Sequence, residues 1–203
     1  MTMRTPYPGY DVLSKWDTPS YNDQTREVLA DRLAPPGQRR FFTDPEWLVL
    51  AALCERAIPQ EREEPVPIAA VIDADVGSGR GNGTRYADMP PTPDAWRRGL
   101  ASLDAEAVSR HGSGFAAIAP SEQDSILQDA AGDALTGAHW SLPPKRFVCD
   151  LALTSIVKIY YAHPAAINEI GFGGPASPRG YVRLGANRFD GWEAPPGDWR
   201  GAP

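Results

Sequence analysis

Cysteine and histidine are scarce in this chain of 203 residues, which contains two cysteines and three histidines. Cys54 and Cys149 stand far apart in sequence, so they predict no disulfide scaffold, zinc site or iron–sulfur site. His111, His139 and His163 are not paired at metal-ligand spacing. The sequence therefore predicts that this chain holds no metal ion.

Long apolar runs and an excess of positive charge are missing too. No window approaches the roughly 18 apolar residues of a transmembrane helix, so we expect no direct membrane span. The net charge is −6, and no basic stripe typical of a nucleic-acid-binding protein is present. The N-terminus lacks the apolar core of a secretory signal, which makes a cytoplasmic location the expectation. Arg39-Arg40-Phe41-Phe42 lies too deep in the chain for a twin-arginine export signal, and we expect both arginines on the surface.

Glycine and proline, in contrast, are abundant. The chain has 19 glycines and 21 prolines, together 40 of 203 residues, against an average of about 12%. The excess is concentrated at the ends, and thirteen of the last 33 residues are Gly or Pro. The sequence predicts an extended N-terminal arm over residues 1–21, a helical domain over 22–170 and an extended C-terminal arm over 171–203.

The middle of the chain carries helical periodicity and no alternating strand pattern. A cap and a proline at the first helical position mark several helix starts, as at 43–45, where Thr43 or Asp44 can cap and Pro45 follows. On the second helix, Trp47, Ala51 and Cys54 are expected to face inward. The last helix is apolar nearly all round, which is typical of a central one. The predicted helices are 22–33, 44–58, 93–110, 121–135 and 145–162.

The predicted fold class is therefore all-α, a small irregular helical bundle. Periodicity leaves residues 66–76 open between helix and strand, and their alanines favour a helix. The sequence GSGRGNG at 77–83 is interpreted as a linker, because it matches neither phosphate-binding glycine pattern.

No catalytic pattern is recognisable in the chain. Ser113 lies in HGSG, which is not a nucleophile elbow. Asp73 and Asp75 are two residues apart and are interpreted as surface charges. His111 and His139 are expected to be solvated in loops. We therefore predict no catalytic and no cofactor-binding residue in this chain.

The segment 158–181 combines a helix with a glycine- and proline-rich continuation, KIYYAHPAAINEIGFGGPASPRGY. The helix is expected to end at His163-Pro164, where His163 would hydrogen-bond backbone carbonyls. Glycines then allow an irregular segment that presents Ile170, Phe172 and Tyr181 outward. Such an apolar, irregular segment packs either against its own core or against another subunit.

These residues carry a family resemblance. FFTDPEW at 41–47, the A-I-P helix end at 57–59 and the 158–181 segment resemble the gluconate 2-dehydrogenase subunit 3 family, over roughly residues 41–181. The resemblance implies a small, helical, non-catalytic subunit of an FAD-dependent sugar, sugar-acid or glycoside dehydrogenase. It implies a large glucose–methanol–choline-type flavoprotein as the partner, in a heterodimer or larger complex, with FAD held by that partner.

The resemblance also implies assistance with folding, flavin loading and export of the partner. The twin-arginine signal that many members carry is missing here, so a periplasmic location would require transport together with the partner. A cytochrome or other electron acceptor would join through the complex. Two alternatives remain: a chaperone that releases its client, and a stand-alone helical hydrolase that uses Ser113 or Cys149.

The residues expected to bind the partner are the aromatic residues of the two arms and the family motif. The alternative for the arm aromatics is that the arms fold back on the helices of the same chain. Cys149 is either a buried free thiol or the site of an intersubunit disulfide. The full set is Tyr7, Tyr10, Trp16, Cys149, Tyr160, His163, Pro164, Ile170, Phe172, Tyr181, Trp192 and Trp199.

Overall fold

The computed structural model describes residue 7 and residues 9–35, 37–80 and 84–175. Within these ranges the chain forms helices and no strand, which confirms the predicted all-α class. A π-helical segment, Arg146–Leu153, runs directly into α6. None of the helices in these ranges has the length and hydrophobicity that a membrane crossing needs. The α-helices are α1 Asp23–Leu33, α2 Asp44–Ala57, α3 Ile68–Gly77, α4 Thr92–His111, α5 Pro120–Ala131, α6 Thr154–Ala162 and α7 Pro164–Glu169.

Local signals in the sequence explain where several helices begin and end. The Asn22 side chain accepts a hydrogen bond from the Thr25 amide at 2.9 Å and caps α1. Thr43 donates its amide and its hydroxyl to the Glu46 carboxylate, both at 2.8 Å, as in a capping box before α2. Helix α4 ends at Gly112, whose φ of 73° is left-handed and suits a residue without Cβ.

The described residues fall into two compact units. The terminal unit contains the described residues up to Pro35 and those from Tyr160 onward. The central unit contains the described residues from Gly37 to Ile159. The predicted arm–domain–arm organisation, with boundaries at residues 21/22 and 170/171, stays a prediction.

Helix α4 is the centre of the central unit and packs against α2, α3, α5 and the π-helical segment. Its Trp96 is 1% exposed and makes edge-to-face contacts with Phe42 and Phe147, at centroid distances of 6.2 Å and 5.8 Å. A Cβ at Gly99 would lie 2.1 Å from a ring carbon of Phe147. Glycine at this position therefore makes room for the Phe147 ring.

The buried face of α2 differs from the predicted one. Val49, Leu50, Leu53 and Cys54 are buried, whereas Leu48 is 60% exposed. The prediction that Trp47 faces inward is wrong in part, because Trp47 is half-buried and stacks under the Arg39 guanidinium. Helix α2 packs against three helices of the central unit, and these neighbours decide which face is covered.

The last long helix also differs from its prediction. It is π-helical over its first half, where the Thr154 hydroxyl donates to the Cys149 carbonyl at 3.0 Å. It is not covered on every side, since Val157 is 42% exposed and Tyr161 is 43% exposed. Helix α5 ends four residues before the predicted 135, where the chain turns and Asp133 has a φ of 61°.

The terminal unit is built around α1, α7 and a 3-10 turn at Val12–Lys15. Val12, Tyr21, Leu29 and Ile167 form its buried cluster, and each is at most 2% exposed. Residues 10–21 are thus packed on helices of the same unit, in agreement with the alternative that the N-terminal arm folds back.

Candidate functional site

The family motif in the terminal unit forms a second helix where an irregular segment was predicted. Pro164 occupies the first position of α7, a position that proline favours because its missing N–H is not needed there. His163 is extended, with φ −79° and ψ 138°, and its Nδ1 accepts from the Ala165 amide at 3.2 Å. The expected role of His163, binding carbonyls at a helix end, is therefore replaced by capping of α7.

Helix α7 ends in a Schellman motif. The Phe172 amide donates to the Ile167 carbonyl at 3.1 Å, and the Gly171 amide donates to the Asn168 carbonyl at 3.2 Å. Gly171 has a φ of 63°, which side chains with a Cβ adopt only at a cost. This glycine turns the chain away from the helix axis. We call residues 170–175, which follow the helix, the hook.

The hook exposes large apolar side chains while its backbone is hydrogen-bonded. Ile170 is 48% exposed and Phe172 is 40% exposed. The sequence correctly predicted that both would point outward. Tyr161, on α6, is 43% exposed. Exposed apolar side chains mark a contact surface for another protein where they form one contiguous patch.

Residues 10–21, which we call the N-terminal strap, bind the backbone of the hook. The Tyr10 hydroxyl donates to the Phe172 carbonyl at 2.9 Å. The Lys15 ammonium donates to the Gly173 carbonyl at 3.0 Å and to the Tyr10 hydroxyl at 2.8 Å. Two successive carbonyls of the hook are thus held by the side chains of the strap.

Two glycines allow this close approach of strap and hook. A Cβ at Gly171 would lie 2.6 Å from a ring carbon of Tyr7. Gly174 has a φ of 75°, and a Cβ there would lie 2.8 Å from the Tyr21 hydroxyl and 2.9 Å from Val12 Cγ2. Any larger residue at either position would displace the N-terminal aromatic side chain beside it.

The remaining residues expected to bind a partner have varied surroundings. Tyr160 is 2% exposed and donates to the Glu169 carboxylate at 2.6 Å. Pro164 is buried, and Trp16 is half-buried. Cys149 lies in the π-helical segment of the central unit as a half-buried free thiol. Three of the predicted contact residues lie outside the described residues: Tyr181, Trp192 and Trp199.

Several residues of this site gave no signal in the sequence. Lys15 binds the hook, Asn168 binds the strap to α7, and Tyr21 binds Val12 within the strap. None of the three stands in a recognisable sequence pattern. The Val12 amide donates to Asn168 Oδ1 at 2.8 Å, across 156 residues of chain. A contact over such a separation cannot be inferred from local spacing.

The second part of the resemblance, FFTDPEW, is positioned by a buried carboxylate in the central unit. Asp73 is 2% exposed and accepts three backbone amides: Arg40 at 2.7 Å, Phe41 at 3.1 Å and Phe42 at 2.9 Å. The interpretation of Asp73 as a surface charge is therefore wrong. Helix α3 carries this carboxylate to the chain segment that leads into α2.

A histidine–carboxylate pair also lies in the central unit. Glu106 is buried and accepts from Trp140 Nε1 at 2.9 Å and Arg110 Nε at 2.6 Å, and its Oε2 lies 2.5 Å from His139 Nε2. Burial alone would raise the pKa of Glu106, but these hydrogen bonds outweigh it and lower the pKa. His139 is thus bound to a structural carboxylate, and the expectation of a solvated His139 is wrong.

The Cys54 thiol is buried, whereas the Cys149 thiol is half-buried. Burial, together with the neighbouring Glu55 charge, raises the pKa of Cys54 to about 12, so its thiol is protonated at neutral pH.

Within the described residues, no group of three His, Cys, Asp or Glu side chains is placed to hold a metal ion.

The central unit contains a pocket of 420 Å³ between α3, α4 and the last long helix. Ile72, Met89 and Trp96 contribute apolar lining. At its edge the Arg146 guanidinium lies 3.6 Å from the centre of the Tyr86 ring and donates to Asp150 at 2.8 Å. Neither Ser113 nor any cysteine or histidine lines this pocket.

The fold and the hook define a small all-α protein with exposed apolar side chains in the hook. The family model of gluconate 2-dehydrogenase subunit 3 matches residues 44–174, and the chain belongs to this family. The family name describes a subunit of a dehydrogenase complex. The matched range includes the hook as far as Gly174 and begins after the N-terminal strap. No curated protein and no solved structure matches the chain.

Proposed function

We propose that this chain is a non-catalytic small subunit that binds and stabilises the large flavoprotein subunit of a dehydrogenase complex. The observation that carries the proposal is the family match over residues 44–174. The family resemblance supports a partner of the glucose–methanol–choline type, with FAD bound in that partner. The chain then contributes to assembly and maturation of the complex and takes no part in the chemical step.

The geometry of the hook supports this role. Ile170 and Phe172 are exposed, and the carbonyl of Phe172 and the amide of Phe172 are both hydrogen-bonded within the chain. A contact segment that is ordered before binding loses less conformational entropy when the complex forms. Aromatic anchors in such positions contribute a large part of the binding free energy in protein interfaces.

A hydrolase, the catalytic alternative, has less support. It requires a base beside Ser113 or Cys149. Among the described residues, no hydrogen bond joins a histidine to either one. His111 lies 3.1 Å from the Glu122 carboxylate, His139 is bound to Glu106, and His163 caps α7. A chaperone that releases its client would use the same hook, so only the composition of the mature complex separates the two roles.

Purification with the flavoprotein tests the proposal. The chain co-expressed with the large subunit should elute with it as a complex that retains stoichiometric flavin. Phe172→Ala should weaken this complex by about 2 kcal/mol or more, which corresponds to roughly 30-fold in Kd. Val108→Ala is the matched control, since Val108 is 49% exposed on α4 and should leave the affinity unchanged.

Turnover per bound flavin separates an assembly role from a catalytic one. We expect it to stay near normal in whatever Phe172→Ala complex survives. If turnover falls while the complex stays intact, the hook reaches the active site and the purely structural role is wrong. If the mature active enzyme contains no copy of this chain, the chaperone role is correct instead.

A further inference from the structure

We infer that the N-terminal strap sets the binding conformation of the hook, and that Lys15 is its main positioning residue. The inference rests on the proposed function and deepens it, since it names the residues on which the contact surface depends. The strap lies outside the family match, which begins at residue 44, whereas the hook lies within it as far as Gly174.

Lys15 is placed to hold the hook. It is 5% exposed, unusually buried for a lysine. A buried ammonium is costly unless oxygen atoms replace its water, and Lys15 donates to the Gly173 carbonyl and the Tyr10 hydroxyl. Tyr10 in turn donates to the Phe172 carbonyl. One lysine therefore orders, directly and through Tyr10, the two peptide groups that follow Phe172.

The hook depends on these bonds because its sequence is flexible. Three of the six hook residues are glycine, at positions 171, 173 and 174, and glycine loses more conformational freedom on ordering than any other residue. The Schellman bonds of α7 extend only to the Phe172 amide. Beyond this amide, the described bonds that fix the Phe172 and Gly173 carbonyls come from the strap.

The strap is itself firmly attached to the terminal unit. Val12 is fully buried, and its amide and carbonyl are bound by Asn168 and by the Tyr21 hydroxyl, at 2.8 Å and 3.0 Å. The Trp16 carbonyl accepts from Arg26 Nε on α1 at 2.9 Å. The strap is thus bound to α7 through Asn168 and to α1 through Arg26, so it can hold the hook in place.

The experiment measures binding of the full chain to the flavoprotein subunit. Lys15→Met keeps an unbranched apolar side chain and removes the hydrogen-bond donors, and we expect about tenfold weaker binding or more. Tyr10→Phe, which removes one hydroxyl and keeps the ring, should weaken binding in the same direction. Lys145→Met is the matched control, because Lys145 is exposed in the central unit and should not affect binding.

A double-mutant cycle tests whether Lys15 acts through Phe172. In the Phe172→Ala background, Lys15→Met should cause little further loss, because the anchor that Lys15 positions is already missing. Equal losses in both backgrounds would overturn the inference, and so would unchanged affinity of the single variant. Either result leaves the proposed function intact, since the wild-type chain still binds.

Hydrogen exchange of the isolated chain gives a readout that needs no partner. Lys15→Met should accelerate exchange at the hydrogen-bonded Phe172 amide by about tenfold or more, with no change in α2 and α4. Unchanged exchange in the hook would overturn the inference. Failure of the wild-type chain to bind any flavoprotein would instead overturn the proposed function.

Discussion

The carboxylate of Asp73 should be among the most important polar groups for the stability of the central unit, and its removal can be predicted quantitatively. Asp73 is 2% exposed and accepts the amides of Arg40, Phe41 and Phe42 at 2.7–3.1 Å. Asp73→Ala leaves these three donors without their acceptor. It also releases the segment that places Phe42 against Trp96 in the core.

The magnitude follows from competing terms. A hydrogen bond to a charged group contributes about 1.5–3 kcal/mol, so three independent bonds would exceed 4 kcal/mol. The bonds are not independent, because they share one carboxylate and neighbouring losses are not additive. Burying the charged carboxylate costs desolvation free energy, and the alanine variant avoids this cost, which offsets a further part of the loss. We therefore expect the free energy of unfolding to fall by about 3 kcal/mol.

Urea unfolding followed by tryptophan fluorescence measures this loss. Asp73→Asn should lose roughly half as much, because its amide oxygen can still accept while its NH₂ group faces a backbone donor. Asp75→Ala is the control, since the Asp75 side chain is 41% exposed and its loss should stay within about 0.5 kcal/mol. A loss below about 1 kcal/mol for Asp73→Ala, or an Asp73→Asn variant as stable as wild type, would refute this reasoning.

Two further predictions concern the central unit. Gly99→Ala should destabilise it by about 1–3 kcal/mol, because a Cβ 2.1 Å from the Phe147 ring outweighs the roughly 1 kcal/mol gain in helix propensity. Thermal unfolding measures this loss of stability. Gly77→Ala is the control, because its Cβ would meet Phe41 at an ordinary contact distance of 3.4 Å. Equal melting temperatures of Gly99→Ala and wild type would contradict the prediction. Glu106→Gln should lower stability at neutral pH and flatten the acid side of the pH–stability curve. The pKa of folded Glu106 lies below its ordinary value, so its stabilisation exists above about pH 4.3 and is lost as the pH falls further. Urea unfolding midpoints measured across this pH range show whether the stabilisation by Glu106 is lost as the pH falls. If wild type and Glu106→Gln lose stability equally on acidification, the prediction is wrong.

Much of the fold could be predicted from the sequence, because helix boundaries depend on neighbouring residues. The cap and capping-box residues before α2, and the glycine after α4, act within one turn of the helix that they begin or end. Helix α4 was predicted over 93–110 and spans Thr92–His111. Proline is the exception, since it can end one helix or begin the next. At Pro164 it begins α7, which the sequence reasoning missed.

The outward position of Ile170 and Phe172 could also be predicted, because the glycines around them allow turns that end a helix and produce an irregular segment. Only the tertiary structure determines which groups bind the segment that carries these two residues. Lys15 and Gly173 are separated by 158 residues, and Asp73 lies more than 30 residues from the amides that it binds. Long-range hydrogen bonds of this kind produce no periodic pattern in the sequence, because their geometry depends on how whole helices pack. The sequence by itself therefore determined most of the helices and the exposed apolar segment, whereas packing determined the conformation in which that segment is presented.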